Sequence, residues 1–139
     1  MESIWNLVNK DITQILTDYR RIAIVGLSDN PMRPSYGVAA YLMDSGYSIS
    51  PVNPNYRTIL GLLCFPDLEA IGQPVEIVNI FRRPVDVPPV VEQAIKIGAK
   101  VVWMQSGIAH EQAARLALNA GLKVVMNACI KIEHSINIG

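Results

Sequence analysis

The sequence predicts an α/β fold: one three-layer domain on a doubly wound, mostly parallel sheet. Three observations carry that reading. Several short runs, at residues 22–26, 75–81 and 101–104, are apolar but for Glu76 and Asn79 and rich in β-branched side chains, without polar alternation. Strands of that kind are covered on both faces. Between them lie segments with apolar residues at three- and four-residue steps, several ended by a glycine, Gly46, Gly98 or Gly121. Glycine at those places is a helix stop. The links are long enough for right-handed crossovers between parallel neighbours.

In chain order, Ile4, Val8, Ile12, Ile15, Leu16 and Tyr19 predict an N-terminal helix over 1–19, packed on the domain. Residues 22–26 predict a buried strand closed by Gly26, followed by a loop over 27–34 and a helix over 35–45. A second strand, 47–52, ends at Asn53-Pro54. A short strand over 62–65 and a short helix over 67–71 precede the strand 75–81, which ends at Arg82-Arg83-Pro84. A helix over 87–97 carries Pro88 and Pro89 in its first turn, where their missing N–H groups cost nothing. The strand 101–104, a helix over 108–120, a strand over 124–126 and a terminal helix over 129–136 complete a Rossmann-like order spanning residues 1–139.

Composition narrows the function classes. Half of the 139 residues are apolar and 17% are charged, which excludes a disordered chain. Twelve basic and twelve acidic side chains give zero net charge, against the basic excess expected of a nucleic-acid binder. Zero charge also leaves little repulsion between copies, so a homo-oligomer is compatible with the composition. Two cysteines, Cys64 and Cys129, and two distant histidines, His110 and His134, have no zinc-ligand spacing, so no metal site is expected. No apolar run reaches membrane-spanning length, and residues 1–4 lack the features of a secretory signal. A cytoplasmic protein with free thiols is the expectation.

In doubly wound sheets ligands bind at the carboxyl ends of the strands. The loop after the first strand offers Gly26, Ser28, Arg33, Ser35 and Tyr36 ahead of a helix start that favours anions. It lacks the G-x-G-x-x-G spacing of dinucleotide dehydrogenases. At the second strand end, Val52-Asn53-Pro54 holds no carboxylate for a ribose diol, and Arg57 lies nearby. That favours coenzyme A, with its ribose 3′-phosphate, or a 2′-phosphorylated dinucleotide over NAD. Phe81 and Arg82 place an aromatic ring and a guanidinium at the third end, with Arg83 free to pair with Asp86. Gln105 and Gly107 close the fourth. Trp103, His134 and Cys64 read as packing residues and His110 as a surface residue. Cys129, at a helix start, reads first as a buried thiol and second as a nucleophile.

Taken together, Ile24 to Ser28, Arg33 to Tyr36, Pro51 to Pro54, Ile80 to Pro84, Ile97 to Lys100, Trp103 to Gly107 and Cys129 to His134 resemble the CoA-binding domain family, small proteins similar to the N-terminal domain of the succinyl-CoA synthetase alpha subunit. The resemblance implies a Rossmann-like fold holding CoA at its strand ends. Gly26, Ser28 and Arg33 would meet the phosphates, Val52, Asn53 and Pro54 would flank the adenosine, Phe81 and Arg82 would lie near adenine and ribose, and Gln105 and Gly107 would border the pocket. Asn127-Ala128 departs from the Asp-Arg that family members commonly carry before the cysteine. The sequence ends at Gly139 without the phosphohistidine domain of the related ligases, so ligase chemistry is not expected of this chain.

The expected function is therefore binding of CoA or an acyl-CoA, without catalytic residues, in a small-molecule-binding module that needs no nucleic acid or membrane. The alternatives are an NADP- or acyl-CoA-dependent enzyme, or an interaction protein with a vestigial nucleotide pocket.

Overall fold

The computed structural model describes residues 2–139. Arg21–Val25 (β1), Ser48–Val52 (β2), Ile77–Ile80 (β5), Val101–Met104 (β6) and Lys123–Val125 (β7) form an all-parallel sheet in the order β2-β1-β5-β6-β7. The register sets Val25 beside both Val52 and Ile80. Strand order reverses at β1, so the switch point lies between β1 and β5. Thr58–Ile59 (β3) and Leu62–Leu63 (β4) make a small antiparallel hairpin after β2. Its outgoing end continues to Phe65, which bridges Val52 and covers part of the β2 edge.

Alternation along the strands divides the apolar side chains between two cores. Ala23, Val25, Val78 and Val102 face Val87–Lys96 (α3) and Glu111–Asn119 (α4), while Ile22, Ile24, Ile77 and Trp103 face Ile12–Asp18 (α1), Pro34–Asp44 (α2) and Ile130–Asn137 (α5). Trp103 is fully buried, and its indole N–H donates to Ala128 O at 2.9 Å. Each large side chain buried in this way stabilises the fold by roughly 1.5–3 kcal/mol. No described helix is long and apolar enough to cross a membrane.

The single helix expected over 1–19 is not what forms. A 3-10 turn, Ile4–Asn6, and α1 are separated by Asn9 and Asp11, both in the left-handed region. Ile4 and Val8 join one core and Ile15 and Leu16 the other, so their shared spacing does not mark one helix face. The competing interaction is pairing with the open edge of β7. Asn9 N–H donates to Val124 O at 2.9 Å, its Nδ2 donates to Met126 O at 2.9 Å, and its Oδ1 accepts from Met126 N–H at 2.7 Å. One asparagine thus does the work of an edge strand. The other departures are smaller: the helix expected over 108–120 starts at Glu111, and β3 had no apolar run to announce it.

α5 docks through His134. Its Nδ1 lies 2.8 Å from Tyr41 Oη, and its ring meets those of Tyr41 and Tyr47 edge-on, with Arg20 over the Tyr47 ring. Burial pushes the imidazole below the usual histidine range, and the Arg20 guanidinium adds to the effect. The unfolded chain therefore takes up the proton more readily than the folded one.

Two outcomes follow from these contacts. Asn9→Ala lowers the unfolding free energy by about 1–3 kcal/mol, read by urea denaturation, because two buried-edge backbone groups lose their partners. Stability is lost as pH falls through about 6.5, the unfolded histidine value, and keeps falling until the folded imidazole is also protonated. The urea midpoint should drop from about pH 7.5 to about pH 5.5, and His134→Gln should shrink that drop.

Candidate functional site

The carboxyl ends of β1, β2 and β5 meet around Gly26. Its N–H donates to Val52 O at 2.9 Å, while Phe81 N–H donates to Val25 O at 2.8 Å. Gly26 adopts φ +88°, and a Cβ there would collide with the Phe81 carbonyl. Only glycine permits the two strand ends to close together at this point.

Two clefts lie back to back across this rim. The first, about 300 Å³, is lined by Gly26, Ser28, Arg33, Ser35, Asn53 and Phe81 of the sequence-expected set, with Pro34 and Tyr56 added. The second, about 150 Å³, holds Val52, Pro54 and Arg82 of that set, with Val25, Asp67, Val90 and Gln93 among its other walls. Consecutive residues split between them: Val25 and Gly26, Asn53 and Pro54, Phe81 and Arg82. The sheet edge thus carries a saddle with a polar hollow on the α2 side and a largely aliphatic slot on the α3 side. A wider groove of about 560 Å³ runs past Glu76, Gly98 and Lys100, at the amino ends of the strands and away from the switch point.

The loop between β1 and α2 is stiffened from within. Ser28 N–H donates to Ser35 Oγ at 3.0 Å, Asn30 N–H to Ser28 Oγ at 3.1 Å, Met32 N–H to Asn30 Oδ1 at 2.9 Å and Arg33 N–H to Asn30 O at 2.9 Å. These four amides are already used within the loop. The hydroxyls of Ser28, Ser35 and Tyr56 and the Arg33 guanidinium are among the donors carried by the residues that line the first cleft. Asn53 ties the rim together: Nδ2 donates to Leu27 O at 3.0 Å and Oδ1 accepts from Asn55 N–H at 3.0 Å. Cys64 Sγ donates to Asn53 O at 3.4 Å, and burial pushes this thiol up from its ordinary range, as a packing cysteine requires.

Among the described residues neither Arg33 nor Arg82 is in an ion pair, whereas exposed Arg83 is held by Asp86 at 3.0 Å. Three sequence candidates lie outside both clefts. Tyr36 is half-buried in the first turn of α2. Gln105 is buried, and its Oε1 accepts from Asn79 Nδ2 at 3.0 Å and from Ile130 N–H at 2.9 Å. Gly107 donates its N–H to Asn127 Oδ1 at 2.7 Å. Gln105 and Asn127 tether α5 and the β6 loop, so Asn127-Ala128 serves here without a charged pair. His110 caps α4, its Nδ1 accepting from Ala113 N–H at 3.1 Å. Cys129 is the half-buried N-cap of α5, outside both clefts. Sequence reasoning missed Tyr56, Asp67 and Gln93; the one signal for Gln93 was a polar residue on the apolar edge of a helix.

The family model described as "CoA binding domain" matches residues 20–135. This chain belongs to the CoA binding domain family. A Bacillus subtilis relative, uncharacterized protein YneT, is 40% identical over 126 residues, covering 91% of this chain and 93% of its own. A solved structure, a hypothetical protein from Pyrococcus horikoshii OT3, has 42% identity and a TM-score of 0.93, covering all of this chain and 98% of that one. The ADP-forming acetate–CoA ligase of Methanocaldococcus jannaschii is 28% identical over 81 residues, 58% of this chain but 12% of the ligase.

In this CoA binding domain the contact between Gly26 and Phe81 admits a direct check. Gly26→Ala lowers the unfolding free energy by at least about 2 kcal/mol, the cost of a strained φ combined with a backbone clash, read by chemical denaturation. An unchanged midpoint would contradict the close approach.

Proposed function

We propose that this protein binds coenzyme A or an acyl-CoA across the carboxyl edge of its sheet and acts as a binding module. The observation that supports it is the pair of clefts that meet at Gly26, each holding a guanidinium outside any ion pair among the described residues. A CoA molecule has a matching layout: an adenine ring, a ribose 3′-phosphate, and a diphosphate leading to a long arm. The aliphatic slot beside Val52, Pro54 and Val90 suits the adenine, with Arg82 at its mouth for the ribose phosphate. The polar hollow, with Ser28, Ser35 and Arg33, suits the diphosphate. The ligand would cross between them over the close contact of Gly26 with the Phe81 carbonyl. Sequence similarity to the acetate–CoA ligase supports the same ligand class.

Calorimetry and thermal shift test this reading. CoA at a hundredfold excess over Kd should stabilise the protein by about 2.7 kcal/mol, a rise of several degrees in Tm. Arg82→Ala should weaken CoA binding by about 1.5–3 kcal/mol, and exposed Arg33→Ala by less, about 1 kcal/mol, because water and salt screen it. Binding of NADP without CoA would instead support a dehydrogenase, and no shift with either would support a vestigial pocket. Unchanged affinity in both Arg variants would overturn the site assignment.

A further inference from the structure

We propose that two copies of this chain pair through the outer face of α5, antiparallel about a twofold axis and independently of any ligand. α5 turns Ile130 and His134 into the core and leaves Ile132 and Ile136 outside, 54% and 73% exposed. Four residues apart on a helix, these two form one ridge, and Ile138 extends it past the last turn. Single exposed apolar side chains are ordinary on a protein surface. Three isoleucines along one short helix make a contiguous strip, which marks an interaction surface.

The charges beside the ridge point to a second copy as what covers it. Lys131 stands in the first turn of α5 and Asp44 in the last turn of α2. Each occupies the helix end where the dipole disfavours its sign. Neither is in an ion pair among the described residues; Lys131 rests on the Tyr41 ring, 5.5 Å from its centre. α5 starts at the carboxyl edge of the sheet, where Ile130 N–H donates to Gln105 Oε1, and runs toward the amino edge, where His134 meets Tyr47 just before β2. α2 descends from β1 to β2 beside it and ends at Asp44. Lys131 therefore lies toward one edge and Asp44 at the other, on the same α2 side of the ridge. A second copy turned end for end sets Ile132 against Ile136 of the partner subunit and carries Lys131 toward Asp44 of the partner subunit. The twofold axis repeats both contacts, and each misplaced charge gains an opposite one. α5 is only about 12 Å long, so the outer surfaces of α1 and α2, which both pack on it, must join to reach the roughly 800 Å² per partner of a standard interface. Zero net charge leaves little long-range repulsion to oppose the pairing.

Sedimentation equilibrium on the intact protein tests this. Wild type at about 100 μM should show twice the chain mass. Ile136→Lys should weaken the dimer by about tenfold or more, whereas Leu116→Lys, exposed on α4 across the sheet, should leave it unchanged. Lys131→Glu and Asp44→Lys should each weaken it by about tenfold, and the double reversal should return it to within about threefold of wild type. Each reversal suits the dipole of its own helix end, so a lost dimer with Tm preserved at low concentration is not unfolding. A monomeric wild type would overturn the proposal and leave the ridge to a partner of another sequence or a lipid surface. A dimer insensitive to Ile136→Lys, or a double reversal that fails to recover pairing, would overturn it as well.

Discussion

The approach of β1 to β5 at the switch point is the constraint on which the site depends. Parallel neighbours normally diverge past their last paired residues, opening a crevice. Here Gly26 lets the two chains stay together for one more residue, with the Phe81 carbonyl occupying the space of a missing side chain. The crevice is therefore divided into a saddle rather than left as a single trough. The two hollows differ in chemistry because they open on opposite faces of the sheet: one toward the start of α2, with its hydroxyls, the other toward α3, with its aliphatic stripe.

Rigidity around the saddle comes from Asn53 and Ser35, which the sequence places among the expected ligand contacts. Asn53 spends its side chain on Leu27 and Asn55, and Ser35 spends an acceptor site on Ser28. Satisfying these backbone groups inside the protein removes the need to order two loops when a ligand arrives, which lowers the entropic cost of binding. In the proposed binding mode, direct recognition would fall to side chains with free donors, chiefly arginine and serine.

The sheet was legible because five strands, buried on both sides, must be apolar at nearly every position, and helix stops at Gly46, Gly98 and Gly121 punctuate the rest. The first strand ends were legible too, since turn residues and arginines stand directly after the apolar runs. The N-terminal segment was not: Asn9 binds Met126, 117 positions away, and no local pattern encodes a contact that distant. Gln105 and Gly107 stand at a strand end like the others, but the sheet order puts β6 on the far side of β5 from β1. Asp67 and Gln93 line one cleft only because the turn after Phe65 folds against α3, where Leu68 N–H donates to Gln93, a tertiary event with no motif of its own.

A backbone and arginine side-chain NMR titration with CoA addresses the central claim most directly. Binding over the Gly26 saddle predicts that the amides of Gly26, Ser28, Asn53 and Phe81 and the Nε signals of Arg33 and Arg82 shift together along one isotherm, while Gln105 and Gly107 stay in place. Shifts confined to the groove at Glu76, Gly98 and Lys100, or to the β6 and β7 ends, would contradict it.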